Sequence, residues 1–327
     1  MTENIFSALQ DYAEKPLVYF PDGDPAARLG LTMSFYFGAP GTLERRRALV
    51  RCIKQYLHQA QGMLRIYAVK YDRRYRKLAA GENPDPVLLD AMIDPAMTLE
   101  FEASGAEREG ISHYWSISAL AENVERATYL GNLILAYPLS IMQVSGWSLQ
   151  AFTQQFVSFC DALQVEHAYS GLGLVLPFDV DGTSEAHKLI GTLAINRPGL
   201  DVDDPAGISI HCEEGIKSVN FLTAVSDRLL ARIGGAEAVA AQAGPGITMY
   251  RYSTGAVFQA GPEPDIGYDP QTRRGVPPKH YVALGRVLKP IRAPYPDVLI
   301  YDPTIADQMN DSHDTFTQRW LARFDGD

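Results

Sequence analysis

A chain of 327 residues, 46% hydrophobic and 21% charged, has the composition of a folded globular protein and is long enough for one large domain or two smaller ones. Its formal net charge of −10 opposes long-range attraction to a polyanion. The opening MTENIFSALQDYAEKP puts Glu3 and Asp11 where a secretory signal has a basic start and an apolar run. The most apolar stretch, Leu133 to Val144, is interrupted by Pro138 and falls short of the roughly 20 residues that span a bilayer, so a cytoplasmic chain with no membrane contact is expected.

In chain order, Leu31 to Phe37 reads as a strand, and Gly38, Pro40 and Gly41 then turn the chain into a helix that Thr42 caps. Leu43, Leu49, Val50, Ile53 and Leu57 recur in that helix at three-to-four spacing, while Arg45, Arg47, Arg51 and Lys54 populate its remaining surface. Residues 44 to 77 hold eleven basic side chains against Glu44 and Asp72, a local excess of nine positive charges that leaves the rest of the chain at −19. Tyr56, Tyr67, Tyr71 and Tyr75 are interleaved with them, the combination by which nucleic acid is neutralised and stacked. Because Arg45 to Lys54 read as a solvated helix face and Ile66, Tyr67 and Val69 as strand core, this basic surface is expected to face solvent or a partner and not nucleic acid.

Gly81 to Asp90 reads as an exposed connection. Strands near Met97–Phe101, Ser112–Ala119 and Leu130–Met142 then form an antiparallel meander. Ser148 precedes a helix with Leu149, Phe152, Phe156, Phe159 and Leu163 on its inner face, followed by a strand from Ala168 to Leu176. A helix over Thr183–Ile195 ends at Arg197-Pro198-Gly199. After the apolar segment Val219–Val225, a Ser226-capped helix stops at Gly234-Gly235, and strands follow near Thr248–Tyr252 and Ala256–Ala260. A final helix, begun by Pro277-Pro278, turns Tyr281, Leu284, Val287 and Leu288 inward before Pro290.

Strands and helices mix without strict alternation, so the expected class is α+β: mainly antiparallel sheets with helices packed on one face, or two similar α/β sandwich halves. The halves divide at 145/146, with one continuous domain left open.

Chemistry is hard to find. Cys52, Cys160 and Cys212 are too few and too scattered for a disulfide framework and suit a reducing compartment, and Cys52 and Cys160, on the apolar stripes of their helices, read as small buried hydrophobes. Gly171-Leu172-Gly173 lies inside an apolar strand, where glycine marks close backbone approach better than phosphate binding. His211-Cys212-Glu213-Glu214, read as the end of a strand, directs at most two ligands to one side, so no metal and no other cofactor is expected. No nucleophile elbow, P-loop or zinc-protease motif is present, so the chain is not expected to be an enzyme. A hydrolytic enzyme built around His211, or a nucleic-acid binder using 44–77, are the alternatives.

The acidic counterpart has a use. Asp179, Asp181, Glu185, Asp201, Asp203, Asp204, Glu213 and Glu214 stand against only Lys188 and Arg197 between residues 179 and 214, and six aspartates against two arginines run from Asp302 to Asp327. Read from charge alone these stretches form a solvated surface that aids solubility, or a negative field that accelerates encounter with a basic protein and disfavours wrong partners.

One resemblance gives this a direction. The succession His167-Ala168-Tyr169-Ser170-Gly171-Leu172-Gly173, Arg197-Pro198-Gly199-Leu200-Asp201-Val202, Gly215 to Leu222 and Ile233-Gly234-Gly235 resembles the DUF3396 family. It continues through Gly261-Pro262-Glu263-Pro264-Asp265-Ile266-Gly267 and Tyr281 to Arg292, so the likeness spans about residues 30 to 292. Phe221 stands where that family often has Trp. The resemblance implies a TsiV-like type VI secretion immunity protein (type VI immunity for VRR-NUC), whose partner is a restriction-endonuclease-like nuclease toxin that it occludes. Gly199, Gly235, Gly261 and Gly267 suit special backbone conformations and Pro262 and Pro264 a rigid turn, so the shared motifs read as architecture. The expected effector-binding residues are therefore the acidic ones: Asp201, Asp203, Asp204, Glu213, Glu214, Glu263, Asp265 and Asp269.

Overall fold

The computed structural model describes residues 15–294 and 313–326, apart from 71, 73, 124, 126 and 127, together with Leu9 and Ile300. The amino-terminal residues read above for a signal, Tyr71 and Arg73 of the basic block, and Asp302, Asp307, Asp311 and Asp327 of the last acidic stretch lie outside it.

The strands are β1 (Val18–Tyr19), β2 (Pro25–Phe37), β3 (Ile66–Val69), β4 (Arg76–Lys77), β5 (Leu99–Ser104), β6 (Ser116–Ala121), β7 (Gly131–Tyr137), β8 (Val165–Val175), β9 (Leu222–Ser226), β10 (Ile247–Tyr252) and β11 (Gly255–Ala260), with a detached pair β12 (Tyr268–Asp269) and β13 (Arg274–Gly275). The larger sheet runs in the order β10-β11-β9-β8-β2-β7-β6-β5-β3-β4, with β1 on β2, and each of its ladders is antiparallel. The meander expected from the sequence is β5-β6-β7. The long β2 is the seam: it pairs with β7 from one half of the chain and β8 from the other, so a single sheet crosses the 145/146 junction.

Residues alternate between the two faces of a strand, and β2 shows what each face is for. Leu31, Met33, Phe35 and Phe37 point to one face, where helix α1 (Leu43–Gln59) and, after α2 (Pro86–Ala91), helix α3 (Leu149–Leu163) lie side by side. Phe35 sits 5.1 Å from Phe156 and 5.7 Å from Phe159, ring centre to ring centre. Each such buried ring is worth about 1.5–3 kcal/mol of transfer free energy. Thr42 and Ser148 cap the two helices as expected, each hydroxyl accepting an amide three residues on. Leu43, placed inward by its spacing, is instead 42% exposed because it begins the first turn.

Thr32, Ser34 and Tyr36 point to the opposite face. Over the β8-β9 side this face is covered by the chain from 176 to 220, which holds α4 (Val180–His187), α5 (Gly191–Asn196) and α6 (Pro205–His211), and by α10 (His313–Leu321), which follows α7 (Asp227–Leu230), α8 (Ala236–Ala243) and α9 (Lys279–Leu288) in sequence. The single helix expected over 183–195 is two, α4 and α5, separated at Lys188–Ile190. The connection expected over 81–90 contains α2, capped by Asp85.

The close approach expected at Gly171-Leu172-Gly173 is there: a Cβ on Gly173 would lie 2.6 Å from Thr32 Oγ1, so only glycine lets β2 and β8 meet. Gly235, Gly261 and Gly267 have positive φ of 91°, 94° and 70°. Phe221 is fully buried, and all three cysteines are free and buried.

Candidate functional site

Over the β2-β7-β6-β5 side, the second face of the sheet is bordered by α4 and α6, which approach β2 and β7. A groove of about 350 Å³ lies there. Its floor is written into the strand alternation: Thr32 and Ser34 from β2, Asn132, Ile134 and Ala136 from β7, Ser116, Ser118 and Leu120 from β6, and Glu100 and Glu102 from β5. The β5 sequence LEFEAS buries Leu99, Phe101 and Ala103 beneath the sheet and turns its two glutamates up. The opposite wall is the covering segment, through Phe178, His187, Asp203 and Asp204.

Two electrostatic environments meet at this groove. On the open side, burial pushes the Glu102 carboxyl up to about 7, the Tyr75 hydroxyl opposing that shift by donating to it and the neighbouring Glu100 and Asp179 carboxylates adding to it. An adjoining hollow brings Asp72, Arg74 and Glu109 against Glu100 and Glu102.

On the covered side, Lys217, 1% exposed, donates to Asp201 Oδ1 at 2.9 Å, to the Val202 carbonyl at 2.8 Å and to Asp203 Oδ1 at 3.4 Å. Burial alone would lower the Lys217 ammonium, but Asp201 and Asp203 hold it above the usual lysine range. The Tyr36 hydroxyl donates to Asp203 Oδ1 at 2.7 Å, and the Tyr36 ring stacks on His167, whose Nε2 lies 3.0 Å from the Cys212 carbonyl. Burial brings the His167 imidazole down to about 3 and lowers that of His187, which sits 3.3 Å from the Asp203 carbonyl. These rings are therefore neutral at physiological pH.

The eight acidic residues singled out from sequence separate into three places. Asp201, Asp203 and Asp204 come together at the groove wall, but Asp201 is 4% exposed and turned to Lys217, while Asp204 caps α6 by accepting from Gly207. Glu213 and Glu214 are exposed beyond α6, where Arg228 grips both Glu214 oxygens at 2.8 Å. Glu263, Asp265 and Asp269 sit on another surface loop, Asp265 and Asp269 each accepting from backbone amides two residues on. His211 ends a helix, not a strand as its sequence surroundings suggested, because Asp204-Pro205 starts one. Among the described residues no group of three or more His, Cys, Asp or Glu is arranged to hold a metal, and no helix is long and apolar enough to cross a membrane.

The basic block is also divided. Arg47 and Arg51 are exposed on α1, whereas Arg46 is fully buried and donates to the carbonyls of Pro40, Met92, Met97 and Glu122. It works as an internal clamp on three loops. The groove floor was missed from sequence, although the alternating Glu100 and Glu102 and the alternating serines of β6 carry the signature of a strand with one wet face.

An antiparallel sheet with α1 and α3 over one face, and on the other a partial helical cover beside a carboxylate-walled groove, defines an α+β protein whose distinctive surface is acidic and concave. The chain belongs to the TsiV family, type VI immunity for VRR-NUC, which matches residues 48–324. The type VI secretion system protein PA0821 of Pseudomonas aeruginosa is similar in structure, with a TM-score of 0.76 at 25% identity over 99% of this chain and 92% of that one. No curated protein matches the chain in sequence. Its role is thus type VI immunity.

Proposed function

We propose that the protein neutralises a VRR-NUC-type nuclease effector in the cytoplasm by stoichiometric occlusion, with no turnover of its own and no nucleic acid bound. The effector face is the open side of the sheet, its carboxylates meeting the basic groups that otherwise hold a nucleic-acid backbone. The observation that carries this reading is the acidic groove between the open strands of the sheet and the segment that covers the rest of that face, in a member of an immunity family. A concave site walled by Glu100, Glu102, Asp203 and Asp204 suits a basic partner, and charge complementarity sets both the rate and the selectivity of encounter.

The outlying acids extend the same field. Glu213, Glu214, Glu263, Asp265 and Asp269 act as a steering rim, while Asp201 contributes by fixing Lys217 and, through it, Asp203. Charge reversal of Glu213, Glu263, Asp265 and Asp269 slows association at low salt; an unchanged rate removes them from the rim.

The test of the reading is co-expression with a VRR-NUC-type nuclease effector from the same genome, sought first among the neighbouring genes. Growth is restored and the two proteins co-purify at fixed stoichiometry. A chain that neither rescues growth nor retains the effector is not its immunity protein.

A further inference from the structure

We propose that the groove over β2-β7-β6-β5 is a receptor for an arginine side chain of the bound effector; this deepens the functional reading above and rests on it. Ser34 and Asn132 are 1% and 2% exposed, both line the groove, and Ser34 Oγ and Asn132 Oδ1 have no partner in the protein. Asn132 donates one amide N–H to Ser209 Oγ at 3.0 Å, and its acceptor oxygen has no partner. Asp203 is in the same position: one oxygen takes Tyr36 and Lys217, and Oδ2 is unpartnered. Buried polar atoms are nearly always satisfied, so a cluster of orphaned acceptors at one site marks a place built for donors.

The donor must be cationic. Glu100 and Glu102 stand on one side and Asp203 and Asp204 on the other, and no lysine or arginine lines the groove. Guanidinium supplies five N–H donors in a planar fan and no acceptor, matching carboxylate, amide and hydroxyl oxygens that approach from different strands. An ammonium is a compact point charge with three donors and satisfies fewer of them. Ile134, Leu120, Leu176 and Phe178 give apolar footing for the methylene stem, and Phe178 packs 5.5 Å from Tyr75, which lines the adjoining hollow.

A cation in the groove also changes the protonation of Glu102. The groups that face this carboxyl are Tyr75, Glu100, Asp179, Glu109, Asp72 and Arg74 on its own side, with His187, Asp203 and Asp204 across the floor. Most are acidic or neutral, so an arriving guanidinium favours the ionised carboxylate and expels the proton that Glu102 shares near pH 7. Arginine binding therefore tightens as pH rises through 7.

The test uses the full chain, methyl-labelled at isoleucine, with the Ile134 signal as reporter. N-acetyl-arginine amide shifts it saturably, N-acetyl-lysine amide binds at least about threefold more weakly, and the neutral isostere N-acetyl-citrulline amide does not bind. Glu102→Gln, with an unchanged melting profile near pH 4, weakens the arginine probe about tenfold and flattens its pH dependence. Equal binding of arginine and citrulline, or an unaltered affinity in Glu102→Gln, overturns the proposal. If the effector is retained while the arginine probe gives no saturable shift, only this inference fails. A wild-type chain that does not hold its effector overturns both this inference and the functional reading.

Discussion

The two sides of the sheet's second face use polar residues in opposite ways. Over β8 and the adjoining half of β2, the polar groups are packed under a cover and the charged ones bond within it, Tyr36 to Asp203, Asp201 to Lys217, and His167 to the Cys212 carbonyl, while His167 Nδ1, Ser170 Oγ and Asp201 Oδ2 have no partner. Over β7, β6 and β5 the strands carry serine, asparagine and glutamate around the groove, and Asn132 Oδ1, with Ser34 Oγ nearby on β2, has no partner within the chain. The first arrangement stabilises, because each buried charge is compensated. The second stores unmet hydrogen-bonding and charge, and is a surface completed by something else. Asp203 belongs to both, one oxygen turned to each side.

The largest test of this contrast is Lys217→Met. It leaves Asp201 buried without a cation and should cost about 3–5 kcal/mol in chemical denaturation; a loss below about 1 kcal/mol would mean that the covered side is not held by this pair. On the open side the sign reverses. Glu102 titrates at about 7 in the folded chain against a usual 4.5, so its contribution favours folding at pH below the unfolded value and is lost as pH rises towards 7. Glu102→Gln should therefore stabilise the protein at pH 8, by something on the order of 2 kcal/mol, and not at pH 4. A destabilised variant at pH 8 would show that Glu102 is structural.

The covered side has its own pH signature. His167 and His187 are held below their unfolded values by burial, so the stability they support is present above about pH 6.5 and declines as pH falls towards the folded values. Melting temperature should be level from pH 8 to 7 and fall below 6.5; a curve still rising at pH 5 contradicts neutral, buried imidazoles. The smallest effect is expected far from both regions. Arg47→Glu with Arg51→Glu, on the exposed side of α1, should change stability by no more than about 0.5 kcal/mol and leave effector retention intact.

Much of the architecture was legible because local chemistry and tertiary packing agree. Thr42, Ser148 and Ser226 cap the helices their positions announce, and Phe152, Phe156 and Phe159 form the face that their spacing describes. The long-range decisions were not legible. Nothing in the Arg45-Arg46-Arg47 run distinguishes the buried clamp from its exposed neighbours, since the four carbonyls that hold Arg46 come from loops up to 76 residues away. Asp201, Asp203 and Asp204 look equivalent in sequence, yet Lys217 makes one of them interior. The groove needed strand order as well as pattern: LEFEAS and SISALA each announce a wet face, but only the pairing of β5 and β6 with β7 and β2 sets those faces side by side.

The central claim, that the open sheet face receives the effector, is tested most directly by filling the groove from within. Ser118 is half-buried on the floor at β6, and Ser118→Arg places a cation of the chain's own among Glu102, Asn132 and Asp203. With the fold verified by an unchanged circular dichroism spectrum, the variant should lose effector affinity by about a hundredfold or more, the loss expected when a binding anchor is displaced, and should no longer rescue growth on co-expression. Wild-type affinity and full protection in Ser118→Arg would place the effector interface elsewhere on the molecule.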